Sequence, residues 1–200
     1  MSKLNRICVF CASHYGGHSR YERAARELGA KLAEQRIGIV YTGGKVGLMG
    51  LLADSALSAG GEVIGVMPQR QMAFQIAHRG LTELITVHSR AERKEVISKI
   101  SDGFIALPGG LGVLDEFSEM AMMTNHGVHQ KPCGLLNVNH FFDHLIAHFE
   151  LAAKEGFLKT TGHHVVEHDT EIERLLMKMR SWDASDYGSA SRRILSPALM

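Results

Sequence analysis

The chain has 200 residues, 45% of them hydrophobic and 22% charged, with 22 Lys and Arg against 21 Asp and Glu for a formal net charge of +1. That length makes one domain with a sizeable core. Near-neutrality excludes an extended basic surface for a nucleic-acid polymer, and no run approaches the roughly 18 apolar residues of a membrane span. The sequence opens on a strand pattern without a signal-peptide cleavage site, and its three cysteines are few and odd in number. Both features lead to the expectation of a reducing, cytoplasmic setting.

Short apolar runs alternate with helical periodicity along the chain. Arg6 to Cys11 reads as a buried strand, followed by a helix over Arg20–Gln35 with Tyr21, Ala24, Ala25, Leu28 and Leu32 on one face. Ile37–Tyr41 is a second strand, and Gly47–Ala59 a helix of small residues. Glu62–Met67 is a third strand, stopped by Pro68. Leu81–Val87 is a fourth, with a charged helix from Ala91 to Ile100 after it. Phe104–Leu107 is a fifth, leading to a helix over Gly112–Thr124. Cys133–Val138 is a sixth, with a helix over His140–Lys154, and Glu171–Met179 is a last helix. Continuous apolar strands between helices predict a doubly wound, Rossmann-like α/β fold, a parallel sheet with helices on both faces. A single domain is expected over residues 1–180, and a mobile tail over 181–200, where large apolar residues thin out. Cys8 and Cys11 form a C-x-x-C inside a strand, where a spacing of three points the side chains to opposite faces. They read as buried cysteines, not as a redox or zinc motif.

Glycine is the compositional outlier, at 21 residues in 200 against a usual share of about 7%. Nine of the 21 fall just after strands, in Gly16-Gly17, in Gly43-Gly44-Lys45-Val46-Gly47-Leu48-Met49-Gly50, and in Pro108-Gly109-Gly110-Leu111-Gly112. Glycine between a strand and a helix lets backbone N–H groups face an anion at the positive helix end. The second cluster is not a phosphate-binding Walker loop, because Lys45 is followed by Val46. Nor does the third strand end on the acidic residue that holds the ribose of a dinucleotide. A mononucleotide or sugar phosphate fits better.

Arg90, Arg93 and Lys94 share one face of the helix before the fifth strand, and Asp115 and Glu116 open the helix after it. Taken singly, these are a solvated face and helix-end electrostatics. Together with the glycine loop they compose a site for a phosphorylated sugar, with a carboxylate placed to activate water or offset a cationic transition state.

The run Pro108-Gly109-Gly110-Leu111-Gly112-Val113-Leu114-Asp115-Glu116 resembles the P-G-G-x-G-T-x-x-E signature of the LONELY GUY (LOG) proteins, phosphoribohydrolases of cytokinin riboside 5′-monophosphates long described as lysine decarboxylases. Arg93-Lys94 is similar to the family's R-K pair. Gly43-Gly44 with Gly47-Leu48-Met49-Gly50 resembles its glycine loop, and Cys11-Ala12-Ser13 its C-G-S. Lys131-Pro132 and Leu135–Val138 also match family segments, so the similarity runs from Ile7 to Phe157. The resemblance implies hydrolysis of the N-glycosidic bond of a nucleoside 5′-monophosphate to free base and ribose 5-phosphate. It implies catalytic roles for Arg93 and Glu116 and substrate binding by Ser13, Gly43, Gly44, Gln75, Lys94, Gly109, Gly110, Leu111, Gly112, Val113 and Met122. It calls for no metal and no cofactor, and it implies a homodimer acting on a small nucleotide.

The chain departs from the family pattern at four places. Val113 stands for the threonine of the phosphate loop, Ala91 for a histidine two residues before the arginine, Gln75 for a substrate-contacting glutamate, and Met122-Met123 for a Thr-Trp pair. A matching catalytic pair amid altered binding positions implies a changed substrate or weaker activity. The alternative from another class is a carrier that holds a nucleotide or phosphorylated cofactor without chemistry. A decarboxylase lacks support, since no lysine sits in a pyridoxal-phosphate context. His140, His144 and His148, four apart, read as a partly exposed helix face, and Met120, Met122 and Met123 as core or subunit contact.

Overall fold

A computed structural model of the chain describes residues 3–72, 77–158 and 166–182. The elements run β1 (Arg6–Phe10), α1 (Ser19–Glu34), β2 (Gly38–Tyr41), α2 (Gly47–Ser58), β3 (Val63–Pro68), the single turn α3 (Gln69–Met72), β4 (Glu83–Val87), α4 (Arg90–Ile100), β5 (Gly103–Ala106), α5 (Leu111–Asn125), β6 (Cys133–Leu136), α6 (Asp143–Lys154), β7 (Glu167–Asp169) and α7 (Ile172–Ser181). The strands pair in parallel in the order β4-β3-β2-β1-β5-β6-β7.

Strand alternation divides the apolar residues between two cores. Ile7, Val9, Ile39, Tyr41, Ile105 and Leu107 point to one side, where α1, α2 and α7 cover them. Cys8, Phe10, Val40, Phe104 and Ala106 point to the other, against α4, α5 and α6. The two-sided cover explains why the strands read as unbroken apolar runs. Cys8 is buried in the second core while Cys11 packs against the first, as their spacing requires. From β1 the chain winds outward through β2, β3 and β4, then returns to lay β5, β6 and β7 on β1's other side. The order reverses at β1, so a crevice opens beyond the carboxyl ends of β1 and β5.

Three expectations need correction. The sheet has a seventh strand, Glu167–Asp169, paired to β6 by Gly134 opposite Glu167. It is a polar edge strand with no apolar run to announce it. The helix expected from His140 begins at Asp143, because a 3₁₀ turn over Val138–His140 comes first, with Asn139 and His140 at φ of 54° and 61°. Asn137 organises that turn: its Oδ1 accepts from the Phe142 N–H and its Nδ2 donates to Asp143 Oδ1, both at 2.7 Å. His140 therefore does not share a helix face with His144 and His148. Finally, the first two residues of the tail expected from Ser181 are part of the fold, since Ser181 ends α7 and Trp182 is buried in the second core; positions 183–200 lie outside the described residues.

At the amino end of β5, His129 stacks on Phe104 with ring centroids 5.3 Å apart, and its Nε2 is buried without a partner among the described residues. Burial, helped by the Lys131 charge, pulls its pKa down to about 4. An unfolded histidine titrates near 6.5. Between those values the unfolded chain binds the extra proton, so this residue's contribution to stability is present above pH ~6.5 and is lost as pH falls toward ~4. The variant H129F, which keeps the ring stack, is expected to flatten the pH dependence of denaturant midpoints across that window by up to one proton.

Candidate active site

The loops that follow β2, β1 and β5 are side by side, because those strands are neighbours. The loop after β1 is clamped by the start of α2: the Leu48 N–H donates to the Ala12 carbonyl at 3.0 Å. A Cβ on Gly47 would fall 2.2 Å from the Ser13 carbonyl carbon, and its φ of +62° is left-handed, so only glycine permits this contact. The loop after β2 is held from both sides. The buried Tyr41 hydroxyl donates to the Gly44 carbonyl at 3.1 Å, and the His78 N–H donates to the Gly43 carbonyl at 2.9 Å.

Helix α5 starts at Gly110, which has no side chain to cap it. The Val113 and Leu114 N–H groups return to the Gly110 carbonyl at 3.1 and 3.2 Å, while amides ahead of them have no helical carbonyl to reach. A Cβ built on Gly110 or Gly112 meets nothing within 4 Å, so the space around this turn is open. Gly109 has a different task. A Cβ there would lie 2.4 Å from Val113 Cγ2, so glycine makes room for the buried valine.

The start of α4 is fixed by a reciprocal cap. Ser89 Oγ accepts from the Glu92 N–H at 3.0 Å, and Glu92 Oε2 accepts from the His88 N–H at 2.7 Å. This start turns Arg93 inward, where Nη2 donates to Glu116 Oε1 of α5. The two side chains are 8% and 12% exposed. Burial raises the Glu116 carboxyl above its ordinary range, and the Arg93 charge, with Lys94, opposes that rise. The Nε of Arg93 is buried with no partner among the described residues. Lys94 turns to Asp115 and Glu119, and pairing with Glu119 raises its ammonium further above the ordinary value.

These groups surround a cavity of about 410 Å³. Of the residues the sequence singled out, it brings together Ser13, Gly44, Arg90, Arg93, Gly110, Gly112, Val113, Asp115 and Glu116. Gly43, at φ of +83°, shapes the turn beneath it, Gly109 backs Val113, and Lys94 ties α4 to α5. Leu111 and Met122 line a separate groove on α5, with Leu114 and Ser118. Gln75 lies outside the described residues. The cavity also takes in His14, Thr42, Met49, Met67 and Gln71. Of these, Met49 stands in the glycine loop that the sequence singled out. Nothing in the local pattern marks the rest. Cys11 also lines the cavity, but burial and the nearby Glu116 push its thiol up, away from the thiolate form a nucleophile needs.

Comparison with known proteins places this geometry. A family model described as "possible lysine decarboxylase" matches residues 49–179. A cytokinin riboside 5′-monophosphate phosphoribohydrolase of Arabidopsis thaliana is 39% identical over 181 residues, spanning 90% of this chain and 85% of that protein. Another, from Rhodococcoides fascians, is 40% identical over 176 residues, spanning 88% and 89%. Among solved structures, a molybdenum cofactor binding protein from Rippkaea orientalis superposes with a TM-score of 0.67 at 22% identity, over 90% of this chain and 98% of that one. That likeness is one of fold. With the matched span, the identity to these relatives and the paired Arg93 and Glu116 beside a glycine-rich helix start, the chain belongs to the LOG family of phosphoribohydrolases.

Proposed function

We propose that the chain is a nucleoside 5′-monophosphate phosphoribohydrolase, which uses water to split the N-glycosidic bond into free base and ribose 5-phosphate. The observation that carries this reading is one cavity holding both a buried, arginine-paired carboxylate and the open start of α5. Glu116 is four residues beyond Gly112 on that helix, a rise of about 6 Å, enough for one sugar ring between phosphate and carboxylate. The amides around Gly110 and Gly112 take the phosphate, with the helix dipole behind them. Glycosidic cleavage passes through an oxocarbenium-like cation. Arg93 donates to Glu116 Oε1, which leaves Oε2 to act on the anomeric carbon and the incoming water. Water oxygen bonds to C1′ as the bond from C1′ to nitrogen breaks, its electron pair leaves with the base, and the water's proton neutralises that nitrogen. The cavity continues over the ends of β2 and β3, where Thr42, Met49, Met67 and Gln71 receive the base of a cytokinin-type or AMP-like nucleotide.

The groove on α5 has Leu111 85% and Met122 50% exposed. In this reading it packs against a second copy, making a homodimer that works on small nucleotides in the cytoplasm. No helix among the described residues is long and apolar enough to cross a membrane.

Incubation with AMP and cytokinin nucleotides, with chromatography of the products, is expected to give free base and ribose 5-phosphate; tight binding without any base released, at high enzyme concentration, indicates a carrier instead. The variant E116Q is expected to keep nucleotide binding and lose about 10²-fold or more in kcat. Because burial raises the Glu116 carboxyl and the ionised form is the working one, kcat/KM is expected to fall on the acid side with a midpoint above the ordinary glutamate value of about 4.3. In R93Q, which removes the charge opposing that rise, the midpoint should move higher still. A pH–rate series on both proteins reads this directly.

A further inference from the structure

We propose that His14 is a phosphate-binding residue of this cavity, supplying the side-chain donor that Val113 lacks. The inference rests on reading the cavity as a nucleoside 5′-monophosphate site. Val113 lines the open turn of α5 with two methyl groups and no donor. His14 lines the same cavity from the loop after β1, on the strand next to β5. Its imidazole is oriented: Ser13 Oγ and His14 Nδ1 are 3.3 Å apart. With the serine hydroxyl donating to Nδ1, the neutral ring carries its hydrogen on Nε2, which is then the donor left for a ligand. The backbone that presents the ring has little freedom, since Gly47 packs its Cα side directly on the Ser13–His14 peptide and Leu48 anchors Ala12. His14 itself is exposed to solvent, so its ring is open to an incoming anion. A hydrogen bond to a charged group is among the stronger ones a side chain makes, so a single histidine donor beside the amides of this turn strengthens the hold on an anion.

The test compares H14A and H14Q in the wild-type and V113T backgrounds, reading KM for a 5′-monophosphate, KM or Kd for the matching nucleoside, and ribose 5-phosphate against ribose binding by calorimetry. Expected are a rise of about tenfold in KM for the nucleotide in H14A, with kcat and nucleoside affinity unchanged. H14Q, whose amide N–H reaches the same place, should recover most of the loss. In the V113T background the cost of H14A should shrink, because the restored hydroxyl serves the same anion. An unchanged nucleotide KM in H14A, an equal loss for nucleoside and nucleotide, or no recovery in H14Q overturns the assignment. Calorimetry separates this outcome from the function. Weaker ribose 5-phosphate binding in H14A without base release from any nucleotide would support His14 while sinking the hydrolase reading. Base release with ribose 5-phosphate binding unchanged in H14A would do the reverse.

Discussion

Glu116 is the constraint around which the site is organised. A carboxylate 12% exposed resists ionisation, and Arg93 is the charge that opposes that resistance. Such a pair is a poor way to gain stability. A buried ion pair replaced by well-packed apolar residues is often neutral or better, whereas removing one partner costs about 3–5 kcal/mol. In the proposed hydrolysis the arrangement is one of preorganisation, with a carboxylate held beside an arginine in a partly dry cavity, ready for a cation that exists only during reaction.

The pair also sets requirements for the fold. Arg93 and Glu116 come from helices before and after β5, so they meet only if α4 and α5 lie on the same side of the sheet and both start at its carboxyl edge. Right-handed crossovers between parallel strands supply that arrangement. The cap by Ser89 and Glu92 fixes where α4 begins, and the buried Val113 and Phe117 fix how α5 sits on the sheet. Lys94, paired with Asp115 and Glu119, ties the two helices together next to the buried pair. Charged side chains that look interchangeable in sequence thus divide into one that faces the cavity and one that holds its walls in place.

The glycine loops show a similar division of labour. Gly110 and Gly112 leave open space where an anion can approach, while Gly47 and Gly109 are there because something else is too close: a neighbouring backbone in one case, a valine side chain in the other. The same residue type serves ligand access at two positions and packing at two others. Composition registers all of them as one excess.

Much of this protein was legible in its sequence. Apolar runs alternating with helical periods determined the parallel sheet with its two covers, since a strand buried on both faces has no polar alternation to show. The post-strand glycines and the spacing of Arg93 and Glu116 about β5 pointed to residues that the fold brings to one cavity. Features that depend on partners distant in the chain were not legible. The polar edge strand β7 exists because β6 offers it a ladder. The start of α6 is delayed because Asn137 captures the turn before it. Lys94 and Arg93 are adjacent in sequence, yet a helix turns successive residues by 100°, and only the packing of α4 on α5 decided which one enters the cavity. His14, Thr42, Met49 and Met67 converge on that cavity from the loops after β1 and β2, from α2 and from β3. No local pattern records such a convergence, because it is a property of the order in which the strands are laid side by side.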